Sequence, residues 1–92
     1  MKLTLSDGGG GEEFLAILSD VTTLEEMRSI TEKLRALVES SRLDLVAANL
    51  TLTISVGATL FLPTDTPESI VRRADELMYR SKQAGRNRVS VA

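Results

Sequence analysis

The sequence predicts an α+β fold with the element order β-β-α-β-α-β, two helices laid on a mostly antiparallel sheet. Three observations carry that prediction. Apolar residues recur at three- and four-residue steps over Leu24–Val38 and again over Ile70–Ser81, the spacing of a helix with one buried face. Strict alternation runs through Leu50–Gly57, the pattern of a strand with one face on the core. Short strand-like segments at Leu3–Leu5, Phe14–Leu18 and Arg88–Val91 are bounded by turn residues.

Each element follows from its residues. Leu3–Leu5 alternates and Phe14–Leu18 is continuously apolar, so the two read as strands of a hairpin whose turn is the glycine-rich stretch Asp7–Glu13. Thr22-x-x-Glu25 and Thr23-x-x-Glu26 both fit a capping box that opens the first helix. Leu24, Met27, Ile30, Leu34, Leu37 and Val38 form its expected inner face, and the helix should end near Ser40 or Ser41. In the following strand Gly57 marks a bulge or a close approach of another backbone, Ala58–Leu62 continues the strand, and Pro63 ends it. Thr66 suits the N-cap of the second helix and Pro67 its first position. Ile70, Val71, Ala74, Leu77, Met78 and Ser81 form its inner face, and Gly85 supplies a left-handed C-terminal cap. Arg72, Arg73 and Arg80 read as a solvated face, Asp75 as a surface partner of Arg72, and Met27, Met78 and Tyr79 as packing.

Composition narrows the chemistry. The chain has 92 residues, enough for one domain, which buries roughly 60–65% of the surface its unfolded form exposes. It has no cysteine and no histidine, so a disulfide, a thiolate zinc site and a histidine base are all excluded. A metal must be hard and oxygen-liganded, magnesium being the natural choice. No apolar run approaches the ~20 residues of a membrane span, and the polar start does not resemble a signal peptide. No membrane partner is expected, and the cytoplasm is the expected location. Residues 1–71 carry 5 basic and 11 acidic side chains, whereas residues 72–92 carry 6 basic and 2 acidic. The acidic part suits a cation and the basic tail suits phosphates; two solvated faces of opposite sign would read the same way.

The stretch Gly8–Glu13 is four glycines followed by two glutamates. Glycine lets a backbone approach a ligand closely, and neighbouring carboxylates attract a hard cation. Gly10-Gly11-Glu12-Glu13-Phe14 resembles the signature of the GGDEF family, the diguanylate cyclases, in its Glu-Glu variant. "LTISVGATLF" (Leu52–Phe61) and "ADELMYRSKQAGRNRV" (Ala74–Val89) resemble the later strand and last helix of that family, in the same order. From Gly10 to Ala92 the chain resembles the C-terminal half of such a domain, with residues 1–9 not matching.

The resemblance implies a nucleotidyl-cyclase-like fold and a reaction that condenses two GTP molecules to cyclic di-GMP with two magnesium ions per site. Two domains, each holding one GTP, face each other. By position, Glu12 is implied to bind metal and assist deprotonation of the attacking 3′-hydroxyl, with Glu13 the supporting acid. Gly10 and Gly11 let the nucleotide lie against the hairpin, and Lys82 and Arg86 contact the phosphates. Read from the residues alone, Lys82 and Arg86 would as readily complement the C-terminal dipole of the second helix.

Departures from the family pattern shape the functional expectation. The strand ending in a metal-binding aspartate, the first two helices and the guanine-recognising asparagine and aspartate are not found in this sequence. Gly8 stands where the family carries arginine. Met1 and Thr4 stand at the Arg-x-x-Asp product-inhibition positions. The expectation is therefore a truncated domain, inactive alone, that binds GTP and other triphosphates weakly and binds no DNA or RNA. The alternative is a non-enzymatic dimerisation or regulatory docking module. In the intact family the first strand lies inside the sheet. Without it the Phe14–Leu18 and Leu52–Phe61 strands lack a shared neighbour, so Met1–Ser6 moves, the two strands meet directly, or a second chain forms a homodimer.

Overall fold

The structure, a computed structural model, describes residues 1–7, 13–17, 21–40 and 53–92. Six elements follow in chain order: β1 (Lys2–Asp7), β2 (Glu13–Ile17), α1 (Leu24–Ser40), β3 (Ile54–Thr59), α2 (Pro67–Gln83) and β4 (Arg88–Val91). The four strands form one sheet in the order β2-β1-β3-β4. β1 pairs antiparallel with both β2 and β3, while β3 and β4 run parallel. A parallel pair needs a long crossover, and α2 provides it. The closing strand thus departs from the antiparallel arrangement expected from sequence.

The strand topology answers the question of the missing neighbour. β1 lies between β2 and β3, with Leu5 opposite Phe14 on one side and Val56 on the other. The N-terminal segment itself fills the interior place, so the backbone groups of β2 and β3 are not left facing a gap.

β3 is buried along its whole length, on both faces, where alternation predicted burial on one. The cause is a helix on each side. Ile54, Val56 and Ala58 join Met1 and Met27 in a core that Leu34 and Val38 of α1 and Val89 and Val91 of β4 complete. The alternate residues Ser55, Gly57 and Thr59 face the other way. There a Cβ on Gly57 would sit 2.1 Å from the Met78 nitrogen and 2.3 Å from the Ala74 carbonyl oxygen. Of the two readings of Gly57, close backbone approach is the one realised. Ser81 Oγ seals the contact, donating to the Val56 carbonyl at 2.8 Å. Leu50–Leu52, expected at the start of this strand, lie outside the described residues.

α2 matches its punctuation. Thr66 accepts from the Ser69 amide at 3.1 Å, Ser69 Oγ accepts from the Thr66 amide at 2.9 Å, and Pro67 opens the helix. Ile70, Ala74, Leu77, Met78 and Ser81 are buried, and Val71 is half-buried. α1 is capped by Thr23, whose Oγ1 accepts from the Glu26 amide. Its buried strip is narrower than expected. Met27 and Thr31 are buried and Leu34 and Val38 half-buried, but Leu24, Ile30 and Leu37 are exposed because they fall on the flanks of that strip. Thr31 tolerates burial by donating its hydroxyl to the Met27 carbonyl at 2.7 Å. No helix among the described residues is long and apolar enough to cross a membrane.

Candidate functional site

Register places Glu13 and Arg88 at one end of the sheet. Glu13 opens β2 opposite Ser6, Ser6 lies opposite Ser55, and Ser55 lies opposite Arg88, which opens β4. These four residues form one row across the sheet. With strands spaced about 4.8 Å apart, Glu13 and Arg88 backbones are roughly 14 Å apart. The β1–β2 connection, which contains Gly10, Gly11 and Glu12, leaves from this end. So does the α2–β4 turn, which contains Arg86. Gly10, Gly11 and Glu12 themselves lie outside the described residues.

The α2–β4 turn has an unusual backbone. Ala84 is the C-cap, Gly85 has φ 122°, and Arg86 and Asn87 follow at φ 63° and 46°. The Gly85 amide donates to the Lys82 carbonyl at 3.4 Å and the Arg86 amide to the Ser81 carbonyl at 3.0 Å. This is the paired hydrogen-bond pattern of a Schellman cap, with the left-handed glycine that sequence reading placed there. Continuing the left-handed conformation through Arg86 costs roughly 1–2 kcal/mol, because its Cβ crowds the carbonyl oxygen. The turn is held from both sides. Arg88 Nε donates to the Arg86 carbonyl at 3.2 Å. Arg35 on α1 donates to Asn87 Oδ1 at 3.0 Å and to Glu39 Oε2 at 3.1 Å, and Asn87 Nδ2 donates to the same Glu39 oxygen. Arg35 also pairs with Glu32, and that hydrogen bond holds the Glu32 carboxyl below its ordinary range.

Lys82 is half-buried on the last turn of α2 and Arg86 is exposed just beyond the cap. Among the described residues, neither side chain has a hydrogen bond or ion pair, the Arg86 guanidinium bonding to none of the helix-end carbonyls. Two cations at the end of a helix, uncompensated within the described chain, suit an anionic ligand. Lys82 also closes one end of an open groove of about 1100 Å³ along α2, which Arg72, Asp75 and Glu76 line. Asp75 Oδ1 is buried without a hydrogen-bond partner, and the expected Arg72–Asp75 pair is not among the ion pairs of the described residues. Tyr79, expected to pack, is 59% exposed. Among the described residues no three acidic side chains come together around a common point.

Sequence reading missed two structural roles. Arg73, assigned to a solvated face, instead closes the turn before α2. It donates to Thr59 Oγ1 at 2.7 Å, to the Leu60 carbonyl at 2.8 Å, and to both Asp65 oxygens at 2.9 and 2.6 Å. Asn87 was not singled out, although asparagine is enriched in left-handed backbone and follows the capping glycine directly.

Residues 9–88 match the protein family described as "Diguanylate cyclase, GGDEF domain". Diguanylate cyclase DgcP of Pseudomonas aeruginosa is 40% identical over 83 residues, covering 90% of this chain and 12% of that protein. Response regulator PleD of Caulobacter vibrioides is 39% identical over 84 residues, covering 87% of this chain and 18% of that protein. Among solved structures, the GGDEF domain of DgcB from Caulobacter crescentus, crystallised in complex with c-di-GMP, superposes with a TM-score of 0.74 at 32% identity. That alignment covers 95% of this chain and 51% of the other. The chain thus spans less than a quarter of its curated relatives and about half of the solved chain it resembles.

Proposed function

Because this chain belongs to the GGDEF-domain family of diguanylate cyclases, we propose that its hairpin and α2–β4 turn form the magnesium–triphosphate end of a GTP site in cyclic di-GMP signalling. The observation that supports the proposal is the row Glu13–Ser6–Ser55–Arg88, in which Glu13 and the first residue after the α2–β4 turn share one end of the sheet. In this reading Glu12 holds the magnesium ion and Glu13 supports it. Gly10 and Gly11 let the phosphates lie against the backbone, while Lys82 and Arg86 neutralise their charge. Magnesium, when bound, supplies charge neutralisation at the phosphates. The cytoplasm, where GTP and magnesium are plentiful, is the fitting location.

We further propose that the 92-residue polypeptide by itself makes no cyclic di-GMP. The sequence carries one metal carboxylate position of the family's pair and none of its guanine-recognising residues. Single electrostatic catalytic groups often contribute ~10²–10³ in rate, and several are lacking together. Incubation with GTP and magnesium, followed by chromatography, should show GTP and no cyclic di-GMP, whereas calorimetry should show weak binding with less than about tenfold preference for GTP over ATP. Product formed at a cyclase-like rate and abolished by Glu12→Ala would overturn the inactive reading. Association through open inner strands is not part of the proposal, since β1 occupies the place that motivated it. The catalytic reading instead has two GTP-loaded domains meeting face to face.

A further inference from the structure

We propose that Asn87 is a positioning residue that fixes where the Arg86 guanidinium leaves the backbone, and that it does so through helix α1. The inference rests on Arg86 being a phosphate ligand. Arg86 and Asn87 are consecutive non-glycine residues with left-handed backbone, at φ 63° and 46°. Asparagine adopts that conformation readily and arginine does not. An arginine held there needs its neighbours to hold it. The Schellman bond fixes its amide and Arg88 its carbonyl. The remaining restraint is the Asn87 side chain, which bonds Arg35 and Glu39, 52 and 48 residues away in sequence.

The amide orientation is set by charge. Its oxygen meets the Arg35 guanidinium and its nitrogen meets the Glu39 carboxylate, and the flipped amide would oppose like to like at both positions. Arg35 and Glu39 also pair with each other, so three groups close a triangle of charge-assisted bonds. Arg35 is only 17% exposed, which reduces solvent screening of that triangle. Every polar main-chain group of Arg86 is thus restrained, while its side chain makes no hydrogen bond among the described residues. A restrained backbone under an unengaged cation is the arrangement that lets a charge meet a ligand without first being ordered.

The test uses magnesium tripolyphosphate as the probe, titrated calorimetrically into the full 92-residue chain. Asn87→Ala and Asn87→Asp should each weaken binding by about tenfold, the coupling expected between residues in contact. Arg35→Ala removes the partner that holds the Asn87 amide and should weaken binding to a similar degree, and the double variant Asn87→Ala/Arg35→Ala should lose no more than either single variant. In an Arg86→Ala background, Asn87→Ala should have no further effect. Additive losses in either double variant would overturn the proposal. A second readout needs no ligand: hydrogen exchange at the Arg86 amide should quicken by more than about tenfold in Asn87→Ala and in Arg35→Ala. If wild type and Arg86→Ala bind the probe equally, the phosphate reading of Arg86 falls, and the amide exchange then decides the positioning role. Unchanged exchange would overturn that as well.

Discussion

Among the described residues, Thr4 and Ser55 bury their hydroxyl groups without a hydrogen-bond partner. Both lie on the face of the sheet that α2 covers, Thr4 opposite Gly57 and Ser55 two residues before it. A buried hydroxyl with no partner keeps its desolvation cost and gains nothing in return. Thr4→Val preserves shape and removes that cost, so it should stabilise the chain by about 1 kcal/mol and raise Tm by about 5 °C. Thermal denaturation followed by circular dichroism measures it, and a lowered Tm would mean that the hydroxyl is satisfied after all. At this scale the sequence was legible wherever backbone geometry demands a particular residue: Thr66 as cap, Pro67 at the first helical position, Gly85 at φ 122°. Asn87 was not legible, because its role depends on Arg35 and Glu39, which only the folded chain brings beside it.

Helix α2 owes its seat to one atom's absence. With a Cβ at Gly57 predicted 2.1 Å from the Met78 nitrogen, Gly57→Ala must push the helix off β3, and no side chain can yield instead. The expected loss is about 3 kcal/mol or more, the upper range for overpacking, read as a fall in the denaturation midpoint; an unchanged midpoint would refute the close contact. The turn before α2 is fastened by Arg73. Hydrogen bonds from Arg73 and then from the Leu62 amide hold the Asp65 carboxyl well below its ordinary value of 3.8. A carboxyl depressed by folding stabilises the native state fully above its unfolded pKa, and that stability is lost as pH falls toward the folded one. Wild type should therefore lose stability below about pH 4 more steeply than Asp65→Asn, and parallel pH profiles would contradict the ion pair. Periodicity located both helices, yet it could not show which apolar residues of α1 stay exposed, since Leu24, Ile30 and Leu37 share its spacing with Leu34 and Val38. Nor could alternation show that β3 has helices on both faces, because Ser55, Gly57 and Thr59 are small enough to read as solvent-facing.

At the scale of the whole molecule, the proposed function rests on strand order. Placing β1 between β2 and β3 closes the sheet and sends the glycine–glutamate connection out at the end where α2 delivers Lys82 and Arg86 toward β4. Family resemblance supplied the residues of the proposed site, but not the shared row of Glu13 and Arg88, which follows from pairing register and not from any local pattern. The most direct test replaces magnesium with manganese, whose unpaired electrons broaden nearby amide signals in nuclear magnetic resonance. With GTP and manganese bound, the account predicts broadening at Glu12 and Glu13 and also at Arg86 and Arg88. Signals at Thr59–Phe61, at the opposite end of β3 and roughly 17 Å from Ile54, should stay sharp. Broadening confined to one of the two segments, or centred on the Thr59 end, would contradict a single metal–triphosphate site.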